Sequence, residues 1–255
     1  MSLTIHPIPA FNDNYIWIVH DGSHAVVIDP GDAQPVKQYL QDHQLDLTTI
    51  LITHHHYDHV DGVSELCGLQ SCDVFAPQDQ RMPFAYQAVS EGDDVCISAP
   101  KLELKVVETP GHTLTHICYY DQLRLFCGDT LFSAGCGRMF EGTAEQFVSS
   151  LNKLKNLPPS LLVFCTHEYT LSNLLFAQHA EPDNTDIRAH QNTVNDWRSE
   201  DKPSLPSTLA LELKINPFLR THLPDVQKNV SHHWQTVCDD ETRCFALLRK
   251  WKDSF

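Results

Sequence analysis

The sequence predicts a layered α+β fold followed by a helical tail, and three observations carry that reading. Across the first two thirds of the 255 residues, short apolar runs alternate with turn signals. Several of those runs stop at a polar, glycine-containing turn that carries a histidine or an aspartate. From Leu171 onward the apolar spacing becomes helical, as in Leu171, Leu174 and Leu175 and again in Ala189, Val194 and Trp197.

Taken in order, Tyr15–Val19 and Ala25–Ile28 read as strands, the second ending at Asp29-Pro30-Gly31. A short helix fits between Pro35 and Gln41, with the proline in its first turn. Thr49–Ile52, Asp73–Ala76, Leu102–Val107, Ile117–Tyr120, Arg124–Cys127 and Leu161–Cys165 continue the strand series. Thr143 and Gln146 form a capping box that opens a helix with Phe147, Leu151 and Leu154 on one face, and Pro158-Pro159 stops it. Residues 199–206 read as a linker between helices. A domain boundary is expected near residue 170, giving 1–170 and 171–255.

Composition narrows the function. A formal charge of −15 disfavours a nucleic-acid partner, which needs a basic stripe. The nine cysteines are odd in number, scattered and without a C-x-x-C pair, so buried free thiols in a reducing compartment are expected, not a disulfide framework or a thiolate zinc site. The first residues carry no basic-then-apolar leader and no stretch of membrane-spanning length, and the expectation is a cytoplasmic protein with no membrane partner. Nothing in the sequence demands more than a monomer.

The most telling segment is Thr53-His54-His55-His56-Tyr57-Asp58-His59, placed after an apolar strand. Alternation with period two throws His54 and His56 to one side and His55 to the other, and the bend that follows lets Asp58 and His59 face the same space. His-rich runs also occur as loose metal-scavenging tracts, but this one is internal, carries an aspartate and is joined by His112, Asp129 and His167 at later strand ends. Alone, Asp129 reads equally as a turn residue and His167 as a solvated side chain. Imidazole and carboxylate donors suit zinc, iron or manganese. The simplest partition gives His54, His56 and His112 to one ion and Asp58, His59 and His167 to a second, with Asp129 bridging. Asp29 is either an anchor for the histidine loop or an ordinary turn aspartate. His116 either orients a ligand or begins a strand.

This pattern resembles the metallo-β-lactamase superfamily. Further segments are similar to one family within it, glyoxalase II (hydroxyacylglutathione hydrolase): Thr109–Thr113, Phe126–Phe132, Ala134–Arg138, Thr166–Thr170, Pro206–Leu209 and Asn216–Arg220. The resemblance implies a four-layer αβ/βα sandwich with a C-terminal helical domain that binds glutathione. It implies two divalent metal ions, zinc before iron or manganese, and hydrolysis of S-D-lactoylglutathione to glutathione and D-lactate, the second step of methylglyoxal detoxification. It implies that Asp58 helps orient the attacking oxygen, and that Arg138, Tyr169, Arg249 and Lys252 hold the glutathione moiety. The chain departs from the pattern at Phe140, where relatives place a tyrosine hydroxyl, and at Arg138, where a lysine is common.

Rival readings differ in chemistry. A glutathione persulfide dioxygenase of the same superfamily uses a single iron, whereas a second full ligand set favours hydrolysis. A β-lactamase leaves the helical tail unexplained, and a phosphodiesterase nuclease sits poorly with the acidic charge. A non-catalytic metal-binding or interaction protein that has kept the fold is disfavoured, because nothing is missing from the ligand set.

Overall fold

Period-two alternation fixes which face of each strand is buried, and the strand pairings follow from it. The computed structural model describes residues 3–255. These fall into two units, one made of residues up to Glu108 together with Thr115–Gly128, the other of Thr109–Leu114 together with Asp129–Phe255.

The first unit begins with strands β1 (Thr4–Ala10), β2 (Asn14–His20) and β3 (His24–Ile28), paired antiparallel. Helix α1 (Ala33–His43) then crosses to β4 (Asp46–Leu51), which lies parallel to β3. Short helices α2 (Tyr57–Val60) and α3 (Val63–Leu69) lead to β5 (Asp73–Pro77), and β6 (Gln87–Val89) completes a sheet ordered β1 to β6. Parallel neighbours need such crossovers, and the helices bury one sheet face. Ile16, Ile18, Val27 and Ile50 meet Val36, Val63 and Leu66 there. Tyr15, Trp17 and Val19, on the opposite face of β2, are buried as well.

A second set of strands, β7 (Asp94–Ser98), β8 (Lys101–Glu108), β9 (Ile117–Tyr120) and β10 (Arg124–Gly128), forms an antiparallel meander. The fully buried Tyr119 on β9 reaches back to the first sheet, its hydroxyl lying 3.0 Å from the carbonyl of Ile52 and 3.1 Å from that of Phe75.

The second unit carries the hairpin β11 (Leu131–Phe132) and β12 (Gly135–Cys136), helix α4 (Ala144–Lys155) and the pair β13 (Leu162–Cys165) and β14 (Ser207–Thr208). Its remaining helices are α5 (Thr170–Ala180), α6 (Thr185–Ser199), α7 (Leu209–Ile215), α8 (Pro224–Trp234) and α9 (Glu241–Asp253). The expected capping box opens α4 with both reciprocal bonds formed, and Phe147, Leu151 and Leu154 are buried as its spacing requires. Leu174, Ala177, Ile187, Val194 and Ile215 share a core cluster with Ala134. Leu175 and Trp197 contributed to the helical pattern but face outward. On α5 the buried stripe runs through Asn173, Leu174, Phe176 and Ala177, and Leu175 lies off it.

Strand β1 escapes the sequence reading because Pro7 and Pro9 argue against a strand. It sits at the sheet edge, where a missing N–H breaks no second ladder. Replacing Tyr119 with Phe keeps the ring but removes the hydroxyl donor from the Ile52 carbonyl, while the Phe75 carbonyl still accepts the Ile52 N–H at 2.9 Å. The expected cost is about 1–3 kcal/mol, read as a lower urea midpoint with an unchanged slope. A midpoint equal to wild type would show that the hydroxyl does not join the two sets of strands.

Candidate metal centre

In the first unit, Asp29 closes β3 and the histidine loop follows β4. The carboxylate of Asp29 accepts the backbone N–H of Thr53 at 2.7 Å on one oxygen. Its other oxygen accepts the Thr53 hydroxyl at 2.7 Å and faces Nδ1 of His59 at 3.1 Å. The turn aspartate is therefore an anchor. Gly31 follows it because a Cβ there would meet the backbone carbonyl oxygen of Asp58 at 1.9 Å, so α2 rests directly on the glycine.

These partners fix tautomers. A carboxylate only accepts, so His59 must carry its proton on Nδ1 and keep the lone pair on Nε2. The Thr53 hydroxyl already donates to Asp29, so it accepts from Nδ1 of His54 at 3.0 Å, and His54 also keeps its lone pair on Nε2. That atom lies 3.1 Å from Nδ1 of His56. Nε2 of His59 lies 3.6 Å from Oδ2 of Asp58, an oxygen that accepts from Nδ2 of Asn14 at 3.0 Å. His55 turns the other way, as the alternation requires, with Nδ1 at 3.5 Å from Asp79. The Arg81 guanidinium holds the Asp79 carboxyl well below the usual carboxylate range. His116 is buried and stacks on His54 at 4.8 Å, so it sets that ring's plane.

The second unit repeats the device. Nδ1 of His112 donates to the carbonyl of Arg138 at 2.8 Å, which leaves Nε2 as the lone-pair atom, 3.3 Å from Oδ2 of Asp129. Nε2 of His167 lies 3.4 Å from the other oxygen, Oδ1, which also accepts the Thr166 hydroxyl at 2.7 Å. Asp129 thus offers a different oxygen to each of two imidazoles. Tyr169 stacks on His167 at 4.7 Å, and Phe132 packs edge-on against both rings. Gly137 is required because a Cβ would approach the Asp129 carbonyl oxygen to 2.0 Å.

The donor chemistry fits metal. Two ligand atoms about 2.0–2.1 Å from one tetrahedral ion lie about 3.3 Å apart. The pairs His54–His56, Asp58–His59, His112–Asp129 and His167–Asp129 all fall near that edge length, within 3.1–3.6 Å. The sequence reading missed Asn14 and the threonines as supports. A signal was present: Thr53 and Thr166 each directly precede a candidate ligand histidine at a strand end.

The four residues expected at glutathione differ in exposure. The Arg138 side chain is 67% exposed, 3.9 Å from Asp253. Arg249 is 5% exposed; its guanidinium donates to the Cys136 carbonyl at 3.0 Å and to Asp253 at 3.1 Å. Lys252 donates to the Ser172 carbonyl at 3.2 Å and lies over the rings of Phe176 and Phe255. Burial, aided by the Arg249 charge, lowers its pKa to about 8. Phe140 is 63% exposed and packs edge-on against His112 at 5.3 Å.

Comparison with known proteins places this arrangement. The family model for the metallo-β-lactamase superfamily matches residues 9–167, and the one described as hydroxyacylglutathione hydrolase C-terminus matches residues 168–255. A protein of Pseudomonas savastanoi pv. phaseolicola named hydroxyacylglutathione hydrolase is 48% identical over 260 residues, spanning 99% of this chain and 100% of its own. The chain belongs to the hydroxyacylglutathione hydrolase family. Proteins of the same name from Aliivibrio fischeri and Idiomarina loihiensis are 47% and 44% identical to this hydrolase, each over 99% of the chain and all of their own length. Among solved structures, ETHE1 from Myxococcus xanthus superposes with a TM-score of 0.66 at 24% identity, over 96% of this chain and 100% of that one. The BLEG-1 B3 metallo-beta-lactamase gives 0.62 at 22%, over 86% and 99%. At such identities the likeness is one of fold, and the hydrolase has the metallo-β-lactamase fold with a C-terminal helical region, as its motifs implied. The full-length relatives favour hydrolysis over the single-iron dioxygenase alternative. Among the described residues, no helix of the hydrolase is long and apolar enough to cross a membrane.

Asp29→Asn tests the anchor. Asparagine tolerates the left-handed backbone at this position, where φ is 53°, so the change removes the charge and turns one of the two acceptor oxygens into a donor without straining the chain. Metal affinity, measured by chelator competition, is expected to fall about 10–100-fold. Unchanged affinity would sink the anchoring role.

Proposed function

We propose that this hydrolase cleaves S-(2-hydroxyacyl)glutathiones, S-D-lactoylglutathione foremost, to glutathione and a 2-hydroxy acid, D-lactate, as the second step of methylglyoxal detoxification. The observation that carries the reading is the full-length kinship with hydroxyacylglutathione hydrolases in a chain where His54, His59 and His112 are tautomer-fixed and the candidate ligand atoms stand at metal-edge spacing. His54, His56 and His112 hold one divalent ion, Asp58, His59 and His167 the second, and Asp129 both. Zinc is the first choice, with iron or manganese also suited to the donors. We assign catalysis to residues 1–170 and substrate binding to 171–255, in a cytoplasmic monomer.

When bound, such ions make a water nucleophilic at neutral pH and polarise the carbonyl under attack. The chain does the rest. Asn14 fixes the Asp58 carboxylate, which orients the attacking water. The leaving group is a thiol of pKa about 8.5, so its anion departs without a strong general acid. Arg138 and Lys252 supply positive charge for the glutathione carboxylates, and Tyr169 packs beside them. Arg249 acts from beneath, through the Cys136 carbonyl it holds. Phe140 gives up one hydrogen bond to the peptide and packs on His112 instead.

On protein with its metal content counted, thioester hydrolysis of S-D-lactoylglutathione should vanish with chelator and return with added divalent ion at two ions per chain. No turnover by the doubly loaded protein would overturn the substrate. Asp129→Ala should lose metal and activity together; full metal content in that variant would refute the bridge. Lys252 discharges as pH rises through about 8. KM for the thioester should therefore climb about tenfold over the surrounding pH range, the weak end of one charge-assisted hydrogen bond. Lys252→Met should have the raised KM at every pH; a KM in that variant that still climbs with pH would assign the titration elsewhere.

A further inference from the structure

Outside the metal centre, the first unit brings two thiols together. Cys67 lies in the last turn of α3 and Cys72 immediately precedes β5, with Gly68, Leu69, Gln70 and Ser71 between them. Their Sγ atoms are 3.4 Å apart. A disulfide needs about 2.0 Å between sulphurs, so closure asks for a small side-chain movement within a short surface loop. Both residues are half-buried at the margin of the helix-side core, and Gly68, Leu69 and Ser71 are exposed. This differs from Cys118, Cys127, Cys136 and Cys165, which are buried.

The pair is asymmetric. Burial and the contact with Cys67 push the Cys72 thiol up to about 12, which favours Cys72 as the sulphur that keeps its proton, while the contact itself lets either sulphur donate. Exchange proceeds by thiolate attack on a disulfide sulphur through a mixed disulfide. The first attacker is then Cys67, and Cys72 follows once its proton leaves. The loop is pinned on its inner side: Oε1 of Gln70 accepts the Leu47 N–H at 3.0 Å, which keeps the two sulphurs close through fluctuations of the exposed turn.

We propose that Cys67 and Cys72 form a dithiol–disulfide couple that exchanges with low-molecular-weight disulfides, Cys67 attacking and Cys72 resolving. In the first step the Cys67 thiolate bonds to one sulphur of R–S–S–R and expels RS⁻. In the second, Cys72 loses its proton and bonds to the Cys67 sulphur, expelling the other RS⁻. The two protein thiols are oxidised, the external disulfide is reduced to two thiols, and the protons balance. The inference stands on this thiol contact alone and is independent of the thioester reading.

The test treats the full-length protein with glutathione disulfide, the oxidised form of a small cellular thiol, then counts thiols and maps peptides. Free thiols should fall from nine to seven, with Cys67 and Cys72 in one linked peptide, and dithiothreitol should restore all nine. In Cys72→Ser the attack has no resolving partner, so a mixed disulfide should accumulate on Cys67. In Cys67→Ser no adduct should form at Cys72. Three results would overturn the proposal: nine thiols remaining, a lasting mixed disulfide on the unmodified sequence, or a link that maps to other cysteines such as Cys238 and Cys244. Both serine variants should retain their metal content and thermal transition, which establishes that an absent adduct reflects chemistry and not unfolding.

Discussion

One carboxylate sets the geometry of the first unit's histidine loop. Asp29 receives the end of β4 through Thr53 and the start of α2 through His59, so strand, loop and helix are referred to a single point. Because it can only accept, it also decides which nitrogen of two histidines is left bare. Its left-handed backbone costs about 1–2 kcal/mol for an ordinary side chain and less for an aspartate. Each hydrogen bond to a charged acceptor contributes about 1.5–3 kcal/mol, so three of them outweigh the strain.

The second unit meets the same requirement with a buried acid that is not a ligand. Glu212 on α7 accepts the Ser133 hydroxyl at 2.9 Å and the Ala134 N–H at 2.8 Å. Asn216 donates to the carbonyls of Phe132 and Gly135 at 3.0 and 2.9 Å, and Asn173 to that of Ser133. Burial pushes the Glu212 pKa upward, and the hydrogen bonds from Ser207, Ala134, Ser133 and Asn216 reduce that rise without cancelling it. The result is a tight β11–β12 hairpin whose far end delivers Gly137 beneath Asp129 and Arg138 beside His112. The helical tail therefore supports the geometry around Asp129 and His112.

Much of this was legible from residue type and period. The His54–His59 run, the opposite aim of His55, the capping box of α4 and the switch to helical spacing each follow from a local rule that the tertiary structure leaves standing. What escaped the sequence is non-local. No pattern along the chain says that Asn14 will meet Asp58, or that Asn216 will hold a hairpin more than eighty residues earlier. Strand β1 escaped for the opposite reason, since its prolines obey a local rule that edge position relaxes. The two-residue strands β11, β12 and β14 are too short to carry a period at all. The resemblance put Arg249 at the glutathione moiety, but no local pattern shows that it is buried against the Cys136 carbonyl and Asp253.

The final turn of α9 is wired into the same region. Asp253 pairs with Arg249 at 2.9 Å and faces Arg138, while Phe255 packs against Phe176 and His179 and lies under Lys252. A purification handle or fusion partner attached after Phe255 would pull on the residues packed around Arg138 and Arg249. One attached ahead of β1 would extend from an outer strand whose prolines already discourage further pairing. The choice of end is thus a choice about whether the engineered protein reports native substrate affinity.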